Sequence, residues 1–323
     1  MYFNKQNNFF HGIMFHHFHD NKTYLQGQGS ISKEDFVNLI NFIGRKNILN
    51  ANEFFIRFKE KKISEKDVCL TFDDSLKCQY DIAVPILDEF KIKAFFFVHT
   101  LFFTGDTDML EIYRFFRLNF FRTVDEFYEE FFSIISNYKK IELSIFFDKK
   151  KKIIDYNKKK YPFYSYNDIK FRLLRDNFLD KAEYDQIMLK MFEEKNFDYK
   201  SIITNLYFNK EDLIKLDSNG HVIGLHSHSH PTKMEKLNFE EQFNEYKNNA
   251  NIISKILHGK KIFSMSHPLS SYNHETAEIL QKLGIEIGFR DSMKIDANMS
   301  KINNSIYELA REDHANVLRN MNK

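Results

Sequence analysis

Two cysteines, Cys69 and Cys78, are all that this 323-residue chain contains, so no disulfide framework is available to it. Cys69 lies in the apolar run Val68-Cys69-Leu70 and is expected to behave as a small buried hydrophobe. Long hydrophobic stretches are lacking too. No run approaches the roughly 20 residues that a spanning helix needs, so no membrane span is expected. The first residues, Met-Tyr-Phe-Asn-Lys-Gln-Asn-Asn, show no basic start followed by an apolar segment. No secretion signal is read there, and a cytoplasmic location is expected. Charge of one sign is not in excess. A net charge of +2 gives no reason to expect a nucleic-acid partner. The lysine runs at 149–152 and 158–160 are short and read as solvated faces. No internal repeat of fixed period is found.

What is present is apolar and aromatic. At 43% apolar and 16% aromatic residues, the chain can bury a substantial core. Its length allows one large domain or two ordinary ones. Apolar runs at 11–16, 67–72, 93–98, 221–225, 261–265, 285–289 and 306–309 read as strands. Amphipathic segments at 32–43, 80–90, 239–257 and 274–283 read as helices between them. Ser32 and Gly44 serve as start and stop of the first helix. Strand–helix alternation of this kind predicts a parallel α/β sheet or barrel. From about 106 to 210 the pattern changes to helical, aromatic and charged, with few glycines. The expected organisation is therefore a first barrel part at 1–105, a helical insertion at 106–210 and a second barrel part at 211–323. The insertion is either an outer packing layer or a lid over the active-site mouth.

Polar clusters follow the strands at 73–75, 226–230, 266–272, 290–291 and 311–314. Chemistry in parallel α/β folds gathers at the carboxyl ends of strands, so these clusters are expected on one face. Asp73 and Asp74 end the second strand, while His226 and His230 follow the fourth. One carboxylate with two imidazoles makes a three-ligand set for a divalent metal, leaving positions open for water and substrate. Asp74, His226 and His230 are read as that set, and Asp73 as a base on the attacking water. His228 has the wrong spacing to join a helical pair. His16, His17 and His19 are left outside the metal site as hydrogen-bonded structure. The residue after His226 is not Glu, so the zincin protease pattern fails.

Thr71-Phe72-Asp73-Asp74 and His226-Ser-His-Ser-His230-Pro231 resemble the first two motifs of the polysaccharide deacetylase family, carbohydrate esterase family 4. Gly220–His226 is similar to the family's approach to its second motif, and Phe263–Asn273 to its third. The resemblance covers about 11–100 and 210–318. It implies a distorted (β/α) barrel that removes acetyl groups from N-acetylated sugars. It implies Asp73 as base and Asp74, His226 and His230 as ligands of one metal, commonly zinc. The backbone near Leu269 would help to hold the oxyanion. Where the family's third motif carries an arginine, this chain has Ser266. Arg290 or Arg311 is expected to supply the missing charge. Arg311 is assigned to the base, His314 to proton donation, and His267, Leu269, Tyr272 and Arg290 to substrate binding.

Three functions compete. The first is a metal-dependent deacetylase of an amino sugar or glycan intermediate. The second is a non-catalytic carbohydrate-binding relative, which the Ser266 departure would suit. The third is a non-haem iron oxygenase, which uses the same ligand triad on a different scaffold.

Overall fold

The short apolar runs that end at polar clusters become the strands of a closed barrel. The computed structural model describes residues 11–64, 66–106, 108–160, 164–291 and 305–321; the Met1–Asn8 start lies outside them. Seven strands close the barrel in chain order: β1 (Gly12–Phe15), β2 (Cys69–Phe72), β3 (Phe95–Val98), β4 (Val222–Leu225), β5 (Ser264–Ser266), β6 (Ile287–Asp291) and β7 (Leu309–Asp313). Every pairing is parallel, including β7 with β1, so all carboxyl ends emerge on one face. The fold is a (β/α) barrel, as the strand–helix alternation and the motif resemblance imply.

Alternation along each strand sorts side chains into two layers. Cys69, Phe95, Phe97, Ile287, Phe289 and Leu309 pack together as one cluster, with Phe54 among them. Ile13, Leu70, Phe72, Phe96 and Ile223 instead join the cluster that includes Phe36, Leu39 and Ile40 of the helix Lys33–Ile43. Ser32 caps that helix, its side chain accepting from the Asp35 N–H, and Gly44 ends it at φ 83°. Burying both faces explains why the strands read as continuous apolar runs.

Two expectations shift. The segment 80–90 opens with a π-helical turn, Gln79–Ala83, and Pro85 falls in the first turn of the α-helix Val84–Glu89. The last strand is not 306–309 but Leu309–Asp313. Ile306 is 46% exposed, whereas Arg311 is 1% exposed. An arginine inside a strand reads as its end only while its buried partner is unknown.

The described chain divides into two compact units. One runs to Asp108 and resumes at Ile203; the other is Met109–Ile202. The second unit is helical throughout, with Met109–Asn119, Val124–Lys139, Tyr166–Asn177 and Lys181–Glu194 as its longer helices. Phe116, Phe127, Phe131, Phe171 and Met188 form part of its buried interior. Thr123, Ser165 and Asp180 cap three of those helices. Among the described residues, no helix is long and apolar enough to cross a membrane.

Candidate active site

Asp73 and Asp74 are neighbours at the end of β2, yet they serve different partners. In a regular strand adjacent side chains point apart. Here the chain also turns, with Asp74 at φ 73° and Ser75 at φ 60°. Left-handed backbone at two non-glycine residues costs roughly 1–3 kcal/mol each and persists only when the surroundings enforce it. They do: Ser75 O accepts from the Phe208 N–H at 2.9 Å, and Gln79 Nε2 donates to Asp73 O at 2.6 Å.

Asp73 faces the inside of the barrel and meets Arg311. Nη1 donates to Oδ1 at 2.7 Å and Nη2 donates to Oδ2 at 2.6 Å, a two-pronged pair with both side chains nearly fully buried. Ser266 completes it, receiving from Arg311 Nη2 at 2.7 Å and donating to Asp73 Oδ2 at 3.2 Å. Thr71 Oγ1 accepts from Arg311 Nη1 at 3.1 Å. Gly12 is the strand partner of Arg311, and a Cβ there would sit 2.6 Å from Arg311 Cγ. The glycine therefore makes room for the arginine. Burial alone would raise the Asp73 carboxyl. The Arg311 guanidinium, with His226 adding to it, outweighs burial and holds the group below the usual carboxylate range.

Asp74 faces the histidines. His226 Nε2 lies 3.2 Å and His230 Nε2 3.3 Å from Asp74 Oδ1. The loop that carries both histidines is clamped by the helix Phe239–Ile256. Its Glu245 carboxylate accepts from the N–H groups of His228 and Ser229, and Asn249 Oδ1 accepts from the His226 N–H. His228 turns to Thr100, with Nδ1 2.9 Å from its hydroxyl.

The ring orientations test whether a metal fits. His226 Nδ1 is 2.9 Å from the Ser266 carbonyl, which can only accept, so Nδ1 carries the proton. In a neutral ring, Nε2 then aims a lone pair at the Asp74 carboxylate. His230 Nδ1 lies 3.2 Å from Asp108 Oδ2, a charge contact without aligned hydrogen-bond geometry. A lone pair facing a carboxylate oxygen is an arrangement suited to a cation between them. Asp74, His226 and His230 offer ligand atoms within 4.8 Å of one another and could hold a metal ion. Burial opposes charging His230, but Asp108 and Asp74 outweigh it and push the ring well above its ordinary pKa. Burial likewise opposes the Asp74 anion, yet His16, His226 and His230 hold it well below the usual range.

The remaining expected residues are placed variously. His267 is buried, hydrogen-bonds the Tyr307 carbonyl at 2.9 Å and stacks on Tyr272 at 4.1 Å. Burial drives its pKa down to about 3, so the ring is neutral. Tyr272 donates to Glu308 at 2.8 Å, and Arg290 Nη1 donates to the Tyr272 hydroxyl at 3.3 Å. Leu269 has a left-handed backbone at φ 49° and a side chain 44% exposed. His314 is buried against Phe15, its Nδ1 3.2 Å from the Met14 carbonyl. Burial lowers its pKa, with Asp313 only partly offsetting it. The Met14 carbonyl can only accept, so Nδ1 carries the ring's proton.

Three neighbours of the site escape the motifs. His16 stands at the end of β1 with Nε2 3.8 Å from Asp74 Oδ2. His99, at the end of β3, is buried with its ring 5.6 Å from that of His230. Burial drives its pKa down to about 3. Asp108 is the third. Position after a strand marks His16 and His99 in the sequence; nothing there marks Asp108.

With this geometry in view, comparison with known proteins is informative. A family model described as polysaccharide deacetylase matches residues 60–111 and 161–288, more than half of the chain. This chain belongs to the polysaccharide deacetylase family. Among curated proteins, no sequence match is found. Solved structures with a similar fold include the Streptococcus pyogenes deacetylase PplD in complex with acetate, at 14% identity, 96% coverage of both chains and a TM-score of 0.54. IcaB from Ammonifex degensii aligns at 12% identity over 97% of both chains, with a TM-score of 0.54. The de-N-acetylase from Aggregatibacter actinomycetemcomitans aligns at 13% identity over 94% of both chains, with a TM-score of 0.52. At such identities the structural likeness carries the fold. Family membership supports carbohydrate deacetylase activity, and an Asp–His–His group able to hold a metal is in place.

Proposed function

We propose that this chain is a metal-dependent deacetylase that hydrolyses the N-acetyl group of an amino sugar or glycan intermediate. The observation that carries the reading is the convergence of His226 Nε2, His230 Nε2 and Asp74 Oδ1, with Asp73 adjacent and held ionised by Arg311. Asp74, His226 and His230 would hold one divalent ion, zinc being our choice for an imidazole and carboxylate donor set. Such an ion supplies Lewis acidity and lowers the pKa of a bound water.

The chain's own groups do the rest. Asp73 accepts a proton from the attacking water as its oxygen joins the acetyl carbon. A carboxylate held this low is a weak base, suited only to a water already acidified. The Leu269 backbone N–H stabilises the oxyanion. As the C–N bond breaks, Asp73 returns its proton to the sugar nitrogen, and acetate and a free amine leave. The proton balance closes without His314, whose Nδ1 faces the Met14 carbonyl. Ser266 does not make the site inert, since Arg311 supplies the cation from another strand.

The test is acetate release from N-acetylated glucosamine oligomers, together with elemental analysis of wild type and His226→Ala. Metal-dependent acetate release by wild type, lost together with the metal in the variant, is expected. Equal metal content in both proteins would overturn the ligand set. Metal-loaded wild type that releases no acetate from a panel of N-acetylated sugars would overturn the activity.

A further inference from the structure

Asp108 lies in neither histidine nor aspartate motif. It is the last residue of the barrel unit before the chain enters the helix Met109–Asn119. Its side chain is only 10% exposed, and Oδ2 stands 3.2 Å from Nδ1 of His230, itself 6% exposed. His230 is thus held between two carboxylates, Asp108 on one ring nitrogen and Asp74 on the other.

We infer that Asp108 is a positioning residue of the metal site, orienting His230 so that Nε2 is presented to the ion. This inference rests on the metal-binding reading of Asp74, His226 and His230. The two histidines are held differently. His226 has a neutral carbonyl, that of Ser266, on Nδ1, while His230 has a carboxylate. A carboxylate behind a metal-bound imidazole fixes the tautomer and raises ligand basicity. The carboxylate lies off the axis of the ring N–H, so the contact is a charge attraction more than a straight hydrogen bond.

Asp108 is itself held in place. The Tyr207 hydroxyl donates to its carbonyl at 3.3 Å, and Tyr207 bridges to Leu76, two residues past Asp74. Phe208, next in the chain, donates its N–H to Ser75 O. Within the barrel unit, Asp108 is thus fastened to Tyr207, and Tyr207 and Phe208 are fastened to the loop that carries Asp74. An incidental surface ion pair would have neither this burial nor this bracing.

The experiment measures zinc affinity of the full chain by competition with a chromogenic chelator, for wild type, Asp108→Asn, Asp108→Ala and Asp108→Glu. Outer partners of metal-bound histidines are typically worth about 10–100-fold in affinity. Asn and Ala are expected to weaken zinc by about that factor and to a similar extent, because charge and not shape is lost. Glu is expected to recover part of it. Melting with and without zinc separates folding from positioning: the variants should melt near the metal-free wild type yet gain less from zinc. Variants that bind zinc as wild type does would overturn the inference, whatever their melting temperature. Wild type binding no zinc would overturn the metal reading itself, a result distinct from the first.

Discussion

Arg311 grips Asp73 with both terminal nitrogens, at 2.7 and 2.6 Å, from the strand that closes the barrel against β1. A cation is thereby delivered to the proposed base across 238 positions of sequence. In the family resemblance that cation belongs to the third motif, at the position of Ser266. Here Ser266 hydrogen-bonds both members of the pair.

Arg311→Met should therefore move the acidic limb of the kcat/KM profile to higher pH. Burial then acts on Asp73 with only the histidines opposing it. Removing one partner of a buried pair should also cost about 3–5 kcal/mol of stability. The sign with pH follows from the depressed carboxyl. Its contribution is present above the ordinary aspartate pKa and is lost as pH falls through the lower folded-state value. Denaturation of wild type and variant across pH should show the gap narrowing in acid. A gap that widens in acid would contradict the assignment.

Gly12→Ala should impair catalysis without touching the metal. The new methyl would meet Arg311 Cγ at 2.6 Å, so the guanidinium must shift. Overpacking of this kind typically costs about 1–3 kcal/mol. A lower kcat with wild-type metal content is expected from kinetics and elemental analysis. Unchanged kcat would mean that the position of Arg311 is not limiting.

Asp73→Asn should retain the metal and lose about 10²–10⁴-fold in rate, the usual worth of a positioned base. Asn keeps an acceptor for Arg311, which also retains Thr71 and Ser266 as partners. Activity near that of wild type would assign the base to another group.

His314→Ala should lower the melting temperature and leave the basic limb of the pH–rate profile in place. The ring stacks on Phe15 at 5.4 Å, an aromatic contact worth about 0.5–1.5 kcal/mol beyond its buried area. Disappearance of the basic limb would instead make His314 the proton donor.

The sequence by itself determined the parallel barrel and the two halves of the Asp–His–His group. Strand–helix periodicity is a local property, and Asp73-Asp74 and His226–His230 each end an apolar run, so both are legible without knowing what they face. It also marked Arg311 as a candidate cation but misplaced its strand, because a buried charge inside a strand looks like a strand end. Tertiary structure decided the rest. The pairing of Gly12 with Arg311 exists only once the barrel closes, and it sets which carboxylate the guanidinium meets. The backbone turn at Asp74 and Ser75 sends two adjacent aspartates to different partners, Asp73 to Arg311 and Asp74 to His226 and His230. Asn249, Glu245 and Asp108 have no motif of their own. They hold the histidine loop because helix packing and chain crossings bring them there, and a polar side chain gains its role from the partner that reaches it.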